Sequence, residues 1–172
     1  MKIYRTLLIP ALFLGLSPLL AQAQPAALSG QSESAYSSAV HRVIYPDPAT
    51  APTEIAHALA LAKREHKRVL LDFGANWCPD CRVLDYYFHQ EPNSSLLHDH
   101  FILVDVNVGR FDHNMDLGQK YEIPLHKGIP ALAVLSPTGK LLYSQKNGEF
   151  EDMRQLSPEA LTTFLNHWKS ER

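Results

Sequence analysis

Cysteine is scarce in this chain: among 172 residues there are two, Cys78 and Cys81. A small exported domain held together by disulfides carries four or more at wider spacing, so that class is excluded. A bond between Cys78 and Cys81 closes a very short loop and adds little through chain entropy. Stability is therefore a poor reason for the pair, which leaves reactivity or metal binding. Basic charge is also sparse. Sixteen Lys and Arg against 18 Asp and Glu give a formal net charge of −2, and no basic run or stripe appears. Nucleic acid is not expected as a partner. Internal repeats are absent. Beyond the first 23 residues no run is long and apolar enough to span a bilayer.

What is present begins with a targeting pattern. Lys2 and Arg5 precede an apolar run from Thr6 to Ala21, broken by Pro10 and Pro18 and ending in Ala21-Gln22-Ala23. This is the layout of a secretory signal peptide, and the run falls short of the ~20 apolar residues a spanning helix needs. No cysteine follows it, so a lipid anchor on cysteine is excluded. Cleavage after Ala23 would leave 172 − 23 = 149 residues with a formal charge of −2 − 2 = −4. That length suits one domain able to bury its own core. The expected organisation is a signal peptide over 1–23, an irregular lead-in over 24–50 and a folded domain over 51–172.

Periodicity supplies the elements. A short edge strand is expected over His41–Tyr45, then a helix from about Thr53 to His66 with Ile55, Leu59 and Ala62 on one face. Val69–Phe73 reads as a strand. A helix should run from Cys78 to about Gln90, ended by Glu91-Pro92-Asn93. Phe101–Val108 alternates as a strand, and a polar helix follows over about 112–121. Pro130–Leu135 and Leu141–Gln145, joined by Pro137-Thr138-Gly139-Lys140, read as a hairpin. Ser157 caps a last helix with Leu161, Phe164, Leu165 and Trp168 inward. The order helix, strand, helix, strand, helix, strand, strand, helix implies an α/β fold: a mixed sheet of four or five strands with helices on both faces.

The cysteine spacing carries the chemistry. Two cysteines three apart at a helix start lie on one face, with Cβ atoms about 5–6 Å apart. A small adjustment brings them within disulfide range, so the pair can open and close without unfolding anything. Unpaired N–H groups and the helix dipole favour a thiolate at Cys78, the attacking species. Cys81, one turn deeper, resolves the mixed disulfide. Zinc would need two further ligands from His or carboxylate, and none of the nine His residues forms an HxxxH pair.

Trp77-Cys78-Pro79-Asp80-Cys81 resembles the active-site motif of the thioredoxin superfamily. Asp72, six residues before Cys78, stands where that family has a buried acid. Lys120-Tyr121-Glu122-Ile123 and Gly128-Ile129-Pro130 are similar to the segment leading into its cis-proline loop and to the loop itself. Gly139 and Gly148 also fall at family glycines. The resemblance covers about residues 54–169. It is strongest to exported stand-alone members and to the C-terminal thioredoxin domain of DsbD reductases. It implies a thioredoxin-like domain over 51–172 and a protein-disulfide reductase with Cys78 and Cys81 as the redox pair and no cofactor beyond their disulfide. Asp72 is then the proton acceptor for Cys81, and Trp77, Ile129 and Pro130 flank the substrate. The implied setting is periplasmic, or else secreted. Expected partners are disulfide-containing proteins and a membrane thiol reductase as electron donor, and the protein is expected to be monomeric with no membrane span in its mature chain. Oxidase or isomerase chemistry on the same cysteines, and a metal-binding or scaffold module, stand as alternatives.

The sequence also departs from the family. Gly74 replaces a second aromatic after the strand Asp-Phe, and Asp105 stands where a Lys usually accompanies the buried acid. Pro124 to Lys127 lengthen the approach to Pro130. Asp80, two residues from Cys78, is expected to repel the thiolate and so favour the disulfide, which makes the protein a better reductant. The segment 145–156 reads equally as a loop near a partner surface or as a solvated connection.

Overall fold

The structure, a computed structural model, describes residues 42–171. The signal-peptide pattern, most of the lead-in and His41 lie outside the described residues. Helix α1 (Ala51–Glu65) is followed by strand β1 (Arg68–Gly74), helix α2 (Pro79–Phe88), helix α3 (Asn93–His100), strand β2 (Phe101–Asn107), helix α4 (Met115–Lys120), strands β3 (Ala131–Leu135) and β4 (Leu141–Ser144), and helix α5 (Pro158–Trp168). Short 3₁₀ turns occupy Pro48–Thr50, Leu125–Lys127 and Met153–Gln155.

The four strands form one mixed sheet in the order β2-β1-β3-β4. β1 runs parallel to β2 and antiparallel to β3. As a central strand it is apolar on both faces, and its two sets of side chains enter two separate cores. Leu71 and Phe73 pack with Ile55, Ala58 and Ala62 of α1 and with Leu117 of α4. Leu70 packs with Leu84 and Phe88 of α2, with Leu161 and Leu165 of α5, and against Leu96 and Leu97 of α3. Helices therefore cover both faces, as expected for a thioredoxin fold.

Three expectations need correction. Arg42–Tyr45 is not a strand: it is irregular backbone, yet Ile44 and Tyr45 are buried. Asn76 explains this, because its Oδ1 accepts from the Ile44 and Tyr45 amides and its Nδ2 donates to the Tyr45 carbonyl. Helix α3 was not expected. Glu91-Pro92-Asn93 does end α2, but the same residues open a new helix, whose apolar contacts with the core come from Leu96 and Leu97 and whose buried Asn93 accepts from Thr162. Finally, Ser157 occupies the cap position of α5 without a side-chain capping bond.

The topology fixes the location of the site. β1 ends at Gly74, and the chain turns through Ala75–Trp77 into α2. Because β3 is antiparallel to β1, with Phe73 opposite Ala131, the loop before β3 arrives at the same edge.

Candidate active site: a disulfide at a helix N-terminus above buried acids

Cys78 is the N-cap of α2, with Pro79 exposed at the first helical position. Pro is suited there because that N–H has no helical partner. The Cys81 amide points at Cys78 Sγ over 3.1 Å. This is one of the free first-turn donors, aimed at the atom that carries negative charge when the pair is reduced. Cys78 and Cys81 are joined by a disulfide, with Cα atoms 5.3 Å apart. Cys78 keeps 3% of its surface and Cys81 none, the order expected of attacking and resolving sulfur.

Two neighbours frame the pair. The Ile129–Pro130 bond is cis, and the Ile129 carbonyl oxygen lies 3.6 Å from Cys78 Sγ. On the other side Trp77 is half exposed. Its Nε1 donates to the Gly109 carbonyl at 2.7 Å, and its ring meets Phe111 edge-on at 6.0 Å. The longer approach noted over 124–127 folds into the Leu125–Lys127 turn, with Tyr121, Ile123 and Leu125 buried.

Beneath α2 lies an acidic interior. Asp72 shares a sheet face with Leu70 and is 1% exposed. Its Oδ2 accepts from the Tyr45 hydroxyl at 2.8 Å, and its Oδ1 has no hydrogen-bond partner among the described residues. Asp105 is its direct neighbour in the β1–β2 register. Burial pushes the Asp72 carboxyl well above the usual range, Asp105 and Asp85 push it further, and the Tyr45 hydrogen bond opposes them. Burial, followed by the Asp85 charge, brings Asp105 up to about 7, with Arg42 opposing. Asp85 is ion-paired to Arg42. Burial thus favours the protonated form of both sheet carboxyls.

Gly74 is accounted for here. A Cβ on Gly74 would lie 2.1 Å from the Tyr45 hydroxyl oxygen. The aromatic ring missing after the strand Asp-Phe is supplied from the lead-in, and glycine leaves it room. The sequence held no signal for Tyr45, 27 residues from its partner. Asp85 was more findable, since it stands one helical turn after Cys81 on the same face.

Asp80 lies where the motif puts it, on the first turn of α2, but its carboxylate is not bare. It is 7% exposed, and its Oδ1 accepts from both the backbone N and the Nε of Arg154, each at 3.0 Å. Among the described residues no group of three or more His, Cys, Asp or Glu is placed to hold a metal ion.

A redox-competent CXXC pair at the head of a helix, beside a cis-proline loop on a four-stranded mixed sheet, defines a thioredoxin-type thiol–disulfide oxidoreductase. A family model described as thioredoxin-like matches residues 50–137, and the chain belongs to that family. A solved disulphide isomerase from Xylella fastidiosa shares 41% identity, covering 74% of this chain and 97% of that one, with a TM-score of 0.70. Thiol:disulfide interchange protein DsbD 2 of Pseudomonas aeruginosa is 30% identical over 124 residues, 70% of this chain and 19% of that protein. DsbD of Pseudomonas fluorescens is 27% identical over the same share. The chain thus spans about a fifth of the length of these curated relatives.

Proposed function

We propose that the protein is an exported dithiol reductase that acts on disulfides of other exported proteins. Cys78 thiolate attacks one sulfur of a substrate disulfide, forming a mixed disulfide and releasing the other substrate sulfur as a thiolate, which takes up a proton. Cys81 then loses its proton to Asp72 and attacks Cys78. The Cys78–Cys81 disulfide forms, and the second substrate sulfur leaves as a thiolate, which takes up a proton. Two electrons pass to the substrate, and the enzyme must regain them from a dithiol donor. A membrane thiol reductase suits that role in an oxidising compartment. Trp77, Ile129 and Pro130 are assigned to substrate contact, with the Ile129 backbone paired to the substrate strand.

The acidic interior carries the direction. A strong oxidant of this type stabilises its reduced form. Here Cys78 is itself buried, the groups beneath it on the sheet are acids whose protonated form burial favours, Asp72 and Asp105, and the dipeptide between the cysteines brings no cation. A thiolate is thus disfavoured relative to the thiol, and the disulfide gains. The N-terminal targeting pattern and the DsbD relatives support export to the periplasm, secretion being the alternative.

The test is the reduction potential of the Cys78–Cys81 couple in glutathione or dithiothreitol buffers. A value near the thioredoxin potential of about −270 mV supports the reductase, and one near about −120 mV overturns it. A second reading, disulfide isomerase, is favoured by the 41%-identical Xylella structure of that description. It is separated by Cys81→Ser. An isomerase variant still reshuffles a scrambled substrate, because the substrate's own thiol resolves the intermediate, whereas net reduction stops.

A further inference from the structure

The segment after β4 is held in place by burial. Phe150 and Met153 enter the core shared by α2 and α5, and Met153 is fully buried. Lys127 Nζ donates to the Lys146 carbonyl at 2.7 Å. Gly128, next to Ile129, lies so close that a Cβ there would stand 3.0 Å from Glu151 Oε2. The segment therefore touches the proline loop on one side, and on the other its Arg154 reaches Asp80 inside the redox motif. Two donors from one residue converge on Asp80 Oδ1, and one of them is a charged guanidinium.

We propose that Arg154 sets the reduction potential: by pairing with Asp80 it neutralises the carboxylate inside the Cys78–Cys81 motif, so the reduced Cys78 thiolate is spared its repulsion. The segment 145–156 is then a working part of the active site. Without Arg154 the Asp80 charge acts on Cys78 in full, the thiolate is less stable and the disulfide gains. Arg154 is a positioning residue: it acts through Asp80 and does not itself exchange electrons. The other charged groups around the helix start and its underside are Asp72 and Asp105 on the sheet, Asp85 and Arg82 on α2, Arg42 on the lead-in, Arg110 over the Trp77 ring, and Glu151 beside Gly128.

This inference rests on the redox reading of the cysteine pair, but its test is separable from the direction of electron flow. The full-length processed protein is compared with Arg154→Gln, Asp80→Asn and the double variant. The Cys78 pKa is read from the pH dependence of iodoacetamide alkylation, and the dithiol–disulfide equilibrium is read against glutathione. Arg154→Gln is expected to raise the Cys78 pKa and favour the disulfide by roughly threefold, about 14 mV at about 30 mV per tenfold change. Asp80→Asn, which removes a carboxylate already paired, is expected to move both the other way and by less. In the Asp80→Asn background Arg154→Gln should change neither, and Arg154→Lys should keep most of the wild-type value. An unchanged equilibrium in a folded Arg154→Gln protein overturns the proposal. So does an Arg154 effect of equal size with Asp80 already neutral. The wild-type potential judges the reductase reading, and the differences between variants judge this one.

Discussion

The two oxygens of Asp72 are in different situations: Oδ2 accepts from the Tyr45 hydroxyl, while Oδ1 is buried with no hydrogen-bond partner among the described residues. An acid in that state has a site open to a proton. Asp72→Asn removes the acceptor, so the resolving attack by Cys81 is expected to slow on the order of a hundredfold. Single-turnover reduction of a model disulfide, followed across pH, measures it. The first attack by Cys78 should change far less. Tyr45→Phe tests the partner. The Tyr45 hydrogen bond holds the Asp72 pKa down, so its loss should move the midpoint of the resolving step to higher pH. A downward move would refute this assignment. The spacing of Cys78 and Cys81 at a helix start was legible from local pattern, and the buried position of Asp72 from an acid inside an apolar strand and from the family resemblance. Tyr45 and Arg154 were not, since each meets its partner across a long stretch of chain that no local pattern records.

Among the elements, the 42–46 strap is held by side chains, with Asn76 at its centre. Asn76 makes three hydrogen bonds to Ile44 and Tyr45. Asn76→Ala should destabilise the fold by about 1–3 kcal/mol, since two amides and a carbonyl lose their partner. Hydrogen exchange at the Ile44 and Tyr45 amides should rise well above that in β1, and equal protection would show that other contacts hold the strap. Strands and the long helices were readable from period and length. The strap was not, because its backbone is paired by a side chain instead of a ladder. Helix α3 escaped for a different reason: with only two apolar side chains reaching the core, its periodicity is too weak to separate it from a loop.

At the scale of the whole molecule, the buried acids couple folding to pH. Asp105 titrates near about 7 when folded, against about 3.9 in an open chain. The folded state therefore holds its proton more tightly, and stability is full below pH ~4. It falls as pH rises through the window from ~4 to ~7, then levels off. Asp72, shifted the same way, adds to the loss. Asp105→Asn should be more stable than wild type at pH 8 by roughly 1–3 kcal/mol and indistinguishable from it at pH 4. Urea unfolding at the two pH values checks this, and an equal gain at both would remove the proton from the explanation.

The strap also decides how the molecule can be handled. The described chain enters the fold at Arg42, ion-paired to Asp85 of the redox helix, and passes beside Asn76. It leaves from α5 at the opposite end, where Arg68 at the start of β1 donates to the Trp168 carbonyl. A tag, fluorophore or surface linker attached directly ahead of the strap would sit against the last turn of the redox helix, beside Asp85 and His89. One attached behind α5 would hold the protein with its cysteines facing outward.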